Sequence, residues 1–207
     1  MPSEAKQSMA KKKQRAPTMK RRRHFESLTL EEVQRLISVT DRIEIRALFE
    51  LALTTGLRRG DIVDIDLARV DLDKGHVDFW EAKKKRNWRV FLEADVVTTL
   101  RMYVRTIPRG QRKLFKYSGR TAYNYLQTYL KLAGIKKKLR FHDTRTTFIR
   151  LSRIMGRSVK YVMQQTGDSA EVILEHYDWL SDEEMHDVTN DGILGEATKT
   201  VSKGKSK

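Results

Sequence analysis

The chain has 207 residues, 39% of them hydrophobic, no cysteine, and a formal net charge of +15 with a sequence pI of about 10.0. This is enough apolar material for one substantial core, and the charge calls for a polyanionic partner, DNA or RNA ahead of a small acidic substrate. The lack of cysteine excludes disulfides, thiolate nucleophiles and thiolate metal sites; with no apolar run of membrane-spanning length and no apolar leader, a soluble intracellular protein is expected.

Met1 to Arg23 holds nine Lys or Arg against the single acid Glu4 and almost nothing apolar, so residues 1–27 read as a basic arm without a core of its own. Arg21, Arg22 and Arg23 are candidates for DNA phosphate contact, against the plainer reading of a solvated tail or a localisation patch. Order is expected from Leu28, where Thr29 as N-cap and Glu32 three residues on form a capping box ahead of Val33, Leu36 and Ile37. A second helix, Ile43 to Thr55, buries Ile45, Leu48, Phe49 and Ala52 and stops at Gly56, a left-handed C-cap that turns the chain and delivers Arg58. Taken alone, Arg58 is equally a solvated surface arginine, as Arg59 is read to be.

From Val70 the pattern shortens. Asp71 to Gly75 reads as a turn, His76 to Trp80 as a strand and Trp88 to Leu92 as its partner, with Lys83, Lys84, Lys85, Arg86 and Asn87 as a basic hairpin tip. Helical periodicity returns over Ala94 to Ile107 and Ser118 to Ala133, the latter with Tyr123, Leu126, Leu130 and Leu132 as its apolar stripe. A basic link, Lys136-Lys137-Lys138, leads into a helix from His142 to about Met155 with Phe148, Leu151 and Ile154 inward, and Gly156 ends it. Val159 to Thr166 and Val172 to Trp179 are two further short helices. Helices around one small antiparallel sheet make an α+β architecture, assigned to residues 28–180, with 181–207 as a C-terminal segment and basic tail.

The chemistry concentrates between Leu139 and Tyr177. His142 and Arg145 are three apart, so on a helix both donors can point at one ligand, and a guanidinium fork suits phosphate oxygens. Tyr177 could then supply a hydroxyl nucleophile. No His or carboxylate pattern suits zinc or a two-metal nuclease, so no metal or other cofactor is expected and charge stabilisation must come from side chains.

Together with Thr55-Gly56-Leu57-Arg58-Arg59-Gly60-Asp61-Ile62, these residues resemble the catalytic domain of the tyrosine recombinases, the family of phage-type integrases and Xer-type recombinases. That family's order is Arg, Lys, His-x-x-Arg, His or Trp, then Tyr; here the positions are Arg58, Lys83, His142, Arg145, Asp168 and Tyr177. Five carry the family's residue type, and Asp168 stands where the family has a His or Trp. The resemblance implies strand cleavage through a 3′-phosphotyrosine without metal or ATP. Arg58 and Arg145 would hold the scissile phosphate, Lys83 or its neighbours Lys84 and Lys85 would act as general acid, and His142 would donate a hydrogen bond or shuttle a proton. Lys84, Lys85, Arg86, Lys136, Lys137 and Lys138 would contact backbone phosphate, and Asp61 would fix Arg58 by a bidentate pair.

The resemblance further implies a double-stranded DNA target, four protomers at synapsis, and a cytoplasmic, nucleoid-associated or host-intracellular setting. Integrases commonly carry a helical core-binding domain ahead of the catalytic one, and too few residues precede Leu28 to encode it; a minimal form or one part of a longer gene is expected. An ionised Asp168 offers acceptors only, so it weakens the chemistry unless it turns to a cation such as Lys160 or Arg157. A DNA-binding relative with weakened catalysis and an unrelated basic nucleic-acid-binding protein are the two alternatives.

Overall fold

The computed structural model describes residues 26–81 and 86–176. Its elements are α1 (Leu30–Ser38), α2 (Ile43–Thr55), α3 (Arg59–Val63), β1 (Val70–Asp71), β2 (His76–Glu81), β3 (Arg86–Phe91), α4 (Ala94–Val104), α5 (Gly119–Leu132), α6 (Asp143–Ile154), α7 (Val159–Thr166) and α8 (Ala170–His176). Among the described residues, no helix is long and apolar enough to cross a membrane.

α2 is the centre. Its sequence is apolar around most of its circumference, so Ala47, Leu51 and Leu53 are buried as well as the expected stripe, and α1, α3, α4, α5 and α6 all pack against it. α1 is fixed at its start by the predicted capping box, in which Thr29 N donates to Glu32 Oε2 at 2.8 Å and Glu32 N to Thr29 Oγ1 at 3.3 Å. Leu28 N donates to Thr147 Oγ1 at 3.0 Å, which ties this end of the chain to α6.

The sheet is antiparallel in the order β1-β2-β3, with Val77 opposite Val90. It begins earlier than the sequence suggests: Val70 and Asp71 pair with Val77 and His76, so Asp71 belongs to a strand and the turn lies over Leu72 to Gly75. Arg86 and Asn87 likewise belong to β3 and not to the hairpin tip. The sheet is fastened to α7, since Gln165 accepts from Phe91 N at 2.9 Å and donates to Phe91 O at 2.8 Å, while Trp88 Nε1 donates to Gln164 O at 2.6 Å.

Two apolar residues face the other way from expectation. Ile154 is 65% exposed and Leu132 63%. Each lies six residues after the buried centre of its helix, Phe148 and Leu126, which is about 240° around the axis and therefore off the buried face. Phe148, Ile149, Val162 and Ile173 form a second small core beneath α6, α7 and α8.

Gly56 closes α2 at φ 65°, and a Cβ placed there would stand 2.5 Å from Phe148 Cδ1 and 3.1 Å from Thr166 Cγ2. Gly56→Ala combines left-handed strain with overpacking of a ring and is expected to cost about 2–5 kcal/mol in urea unfolding. A loss below about 1 kcal/mol would mean that neither the turn nor the contact is tight.

Candidate active site

Three chain segments meet at one guanidinium. α2 ends at Gly56, and its left-handed turn brings Arg58 to the N-cap of α3. α6 opens at Asp143, directly after His142, and places Arg145 in its first turn with its side chain pointing inward. α7 ends at Gly167, also left-handed at φ 73°, and presents Asp168.

Arg145 is 2% exposed, and its hydrogen bonds hold all three segments. Nη1 donates to Gly56 O at 2.6 Å, Nη2 to Thr166 O at 2.8 Å, and Nε to Asp168 Oδ2 at 3.0 Å, with Nη2 also in contact with that carboxylate. Burial lowers its pKa and the Asp168 carboxylate opposes the shift; a guanidinium stays charged regardless. Arg58 reaches the same carboxylate from outside: Nη2 donates to Asp168 Oδ1 at 2.6 Å, while its own side chain is 54% exposed. Asp168, only 9% exposed, thus bridges the two arginines.

The bridge alters several expectations. Asp168 turns to a cation, but to Arg58 and Arg145 in place of Lys160 or Arg157; Arg157 takes Glu93 at 2.8 Å. Asp61 does not form the bidentate pair with Arg58. Its Oδ2 is buried without a hydrogen-bond partner, and burial raises its pKa against the pull of Arg58 and Arg145. His142 and Arg145 do not share an exposed helix face either, because His142 precedes the first turn and stays open to solvent while Arg145 is sealed below. Partial desolvation of the His142 ring, together with the charges of Arg145, Arg140 and Arg58, lowers its pKa; Asp143 pulls the other way. The lowered pKa favours the neutral ring.

Of the other residues singled out, Lys136 and Lys138 are exposed, whereas Lys137 donates to Glu32 Oε2 at 2.6 Å and Ser27 O at 2.8 Å and so braces the start of α1. The backbone of Arg86 sits at the start of β3, opposite Glu81. Lys83, Lys84, Lys85, Tyr177, Arg21, Arg22 and Arg23 lie outside the described residues. No group of His or carboxylates among the described residues could hold a metal ion. The carbonyls of Gly56 and Thr166 were not foreseen as partners of Arg145, since no sequence pattern marks a backbone acceptor 89 residues away.

The phage integrase family model matches residues 26–183. The tyrosine recombinase XerA of Saccharolobus solfataricus is 26% identical over 187 residues, which cover 90% of this chain and 60% of that protein. A crystal structure of XerA recombinase superposes with a TM-score of 0.73 at 20% identity, over 85% of this chain and 66% of that one. The XerH site-specific recombinase bound to its difH substrate, a pre-cleavage complex, gives 0.63 at 16% identity over 74% and 50%. The chain thus spans less than two thirds of the length of each of these proteins.

Removing the carboxylate leaves a buried guanidinium charge without its anion. Asp168→Asn is expected to lower unfolding stability by about 3 kcal/mol, and inorganic phosphate to recover part of that loss. A variant as stable as the parent in phosphate-free buffer would show that the bridge is not holding the three segments.

Proposed function

The chain belongs to the phage integrase family, and from that premise we propose that it is a site-specific DNA recombinase that cuts and rejoins strands through a 3′-phosphotyrosine. The observation that carries this reading is the convergence of Arg58, of His142 and Arg145 at the start of α6, and of Asp168 after α7 on one site from three separate segments, with α8, which runs directly into Tyr177 in the chain, packed on α6 and α7.

Arg58 is the phosphate-holding arginine. It spends one N–H on Asp168 and is half exposed, so the rest of its fork is free for the non-bridging oxygens of the scissile phosphate. Arg145 has a different task. With its fork engaged on Gly56, Thr166 and Asp168, it fixes the carboxylate that orients Arg58, and it adds positive potential from below. Asp168 acts as a positioning residue and does not face the phosphate as an acceptor.

In the cleavage step the Tyr177 oxygen attacks phosphorus, the bond from phosphorus to the 5′ oxygen breaks, and the leaving oxygen takes a proton from the hairpin lysine, Lys83 on the motif count. In its neutral form, which the lowered pKa favours, the His142 ring can accept the tyrosyl proton or donate its N–H to the phosphate. A 5′ hydroxyl from another strand reverses the step, and because the phosphotyrosine keeps the energy of the diester, resealing needs no ATP. Lys84, Lys85, Arg86, Lys136 and Lys138 and the arm with Arg21, Arg22 and Arg23 would follow backbone phosphate outside the site. Double-stranded DNA is the partner on this reading, and assembly into four protomers follows the family resemblance and the lambda integrase tetramer bound to a Holliday junction, whose fold this chain resembles.

The bridging Asp168 also favours a second reading, a DNA-binding relative with weakened chemistry. Incubation with a nicked suicide duplex separates the two. Wild-type protein is expected to form a covalent adduct, and Tyr177→Phe to form none while its DNA affinity changes less than about twofold, because one hydroxyl and no cation is lost. An adduct with Tyr177→Phe would move the nucleophile elsewhere, and no adduct with wild type would favour the binding protein.

A further inference from the structure

Beside the Arg58 and His142 side of the site lies a cavity of about 560 Å³ whose other walls include Arg59, Arg120, Tyr123 and Arg140. Two of these arginines have their charge satisfied: Arg58 by Asp168, and Arg140 by Asp143 at 3.1 Å. Arg59 and Arg120 pair with no carboxylate among the described residues. Their placement is also costly in the absence of an anion. Both lie at the start of α5, a helix of 14 residues with no acid in its first turn, so two guanidinium groups sit at its positive end.

Arg59 is there because residue 119 has no side chain. A Cβ on Gly119 would come within 2.8 Å of Arg59 Nε and 3.1 Å of its Cδ, so the arginine lies across the start of α5, and it lines the same cavity as Arg120. Tyr123 follows Arg120 by three residues and therefore shares its face, adding a hydroxyl donor to the same wall. Unpaired cations, a helix end and a hydroxyl converging on an open cavity suit a tetrahedral oxyanion.

We infer that Arg59, Arg120 and Tyr123 form a second phosphate seat, which holds a backbone phosphate of the strand next to the scissile one and so sets the register in which the strand meets Arg58 and His142. This rests on the DNA-cleaving reading, because the ligand is the neighbouring phosphate of the same strand. Sequence alone gave no sign of it: Arg59 reads as a solvated arginine, and Arg120 is 61 residues further on.

The test is the salt dependence of duplex DNA binding by the full chain, followed by fluorescence anisotropy. Arg59→Gln with Arg120→Gln is expected to lower the slope of log affinity against log salt by about one unit, and Arg59→Lys with Arg120→Lys to restore it. Since the two arginines repel each other when free, thermal stability without DNA should not fall in the Gln variant, as it would if their role were structural. Gly119→Ala changes no charge and displaces only the flexible end of Arg59; it should fold normally yet bind DNA about twofold to fivefold more weakly. Wild-type binding with an unchanged slope in the Gln variant, or with parental affinity in Gly119→Ala, overturns the seat and leaves the cleavage reading standing. Absence of salt-dependent duplex binding by the wild type overturns the cleavage reading and the seat together.

Discussion

The site depends on a buried guanidinium that must find partners. Arg145 is almost wholly removed from water, and a charge in that position is tolerable only when its N–H groups are met. The partners are two backbone carbonyls and one carboxylate, one from the end of α2 and two from the end of α7. Gly56 O is available because the left-handed turn of Gly56 ends α2, and Thr166 O because Gly167 ends α7 in the same way. Two glycine caps and one arginine therefore fix the angle between the central helix, α6 and the loop that carries Asp168. Arg58 inherits its orientation from that assembly.

The basic residues fall into two groups with different physical roles. Lys137, Arg140, Arg145 and Arg157 are held by Glu32, Asp143, Asp168 and Glu93, and they brace helix ends and the joints between elements. Arg58, Arg59 and Arg120 leave part or all of their donor capacity open on one side of the molecule. Net charge alone does not distinguish these groups. A high positive charge predicts a polyanionic partner, but which cations meet it is decided by where carboxylates have already been placed.

Local signals in the sequence were read well where local physics decides. The Thr29 and Glu32 box, the bounds of α2 and α7 and the left-handed Gly56 all follow from caps and periodicity within a few residues. Ile154 and Leu132 are apolar and near the inward spacing, yet six residues of drift carries each off the buried face. α3 leaves no signature in the sequence, because five residues, Arg59 to Val63, are too few to show a helical period. The motif positions are named through the family resemblance. The bridge has no such signal, because it joins Arg58 to a carboxylate 110 residues away and depends on the packing of α6 against α2.

Asp168 occupies the position where a hydrogen-bond donor to phosphate would be expected, and its two oxygens are already committed to Arg58 and Arg145. We propose that this carboxylate positions the arginines, so that a donor in its place costs more than it supplies. Single-turnover cleavage of a nicked duplex by Asp168→His at saturating protein, below the variant's unfolding temperature, is the most direct measure. The account predicts cleavage slower than wild type by about tenfold or more, as Arg58 loses its orientation and Arg145 its anion. A rate equal to or above that of the wild type would show that Asp168 is a dispensable substitute for a missing donor and would contradict the account.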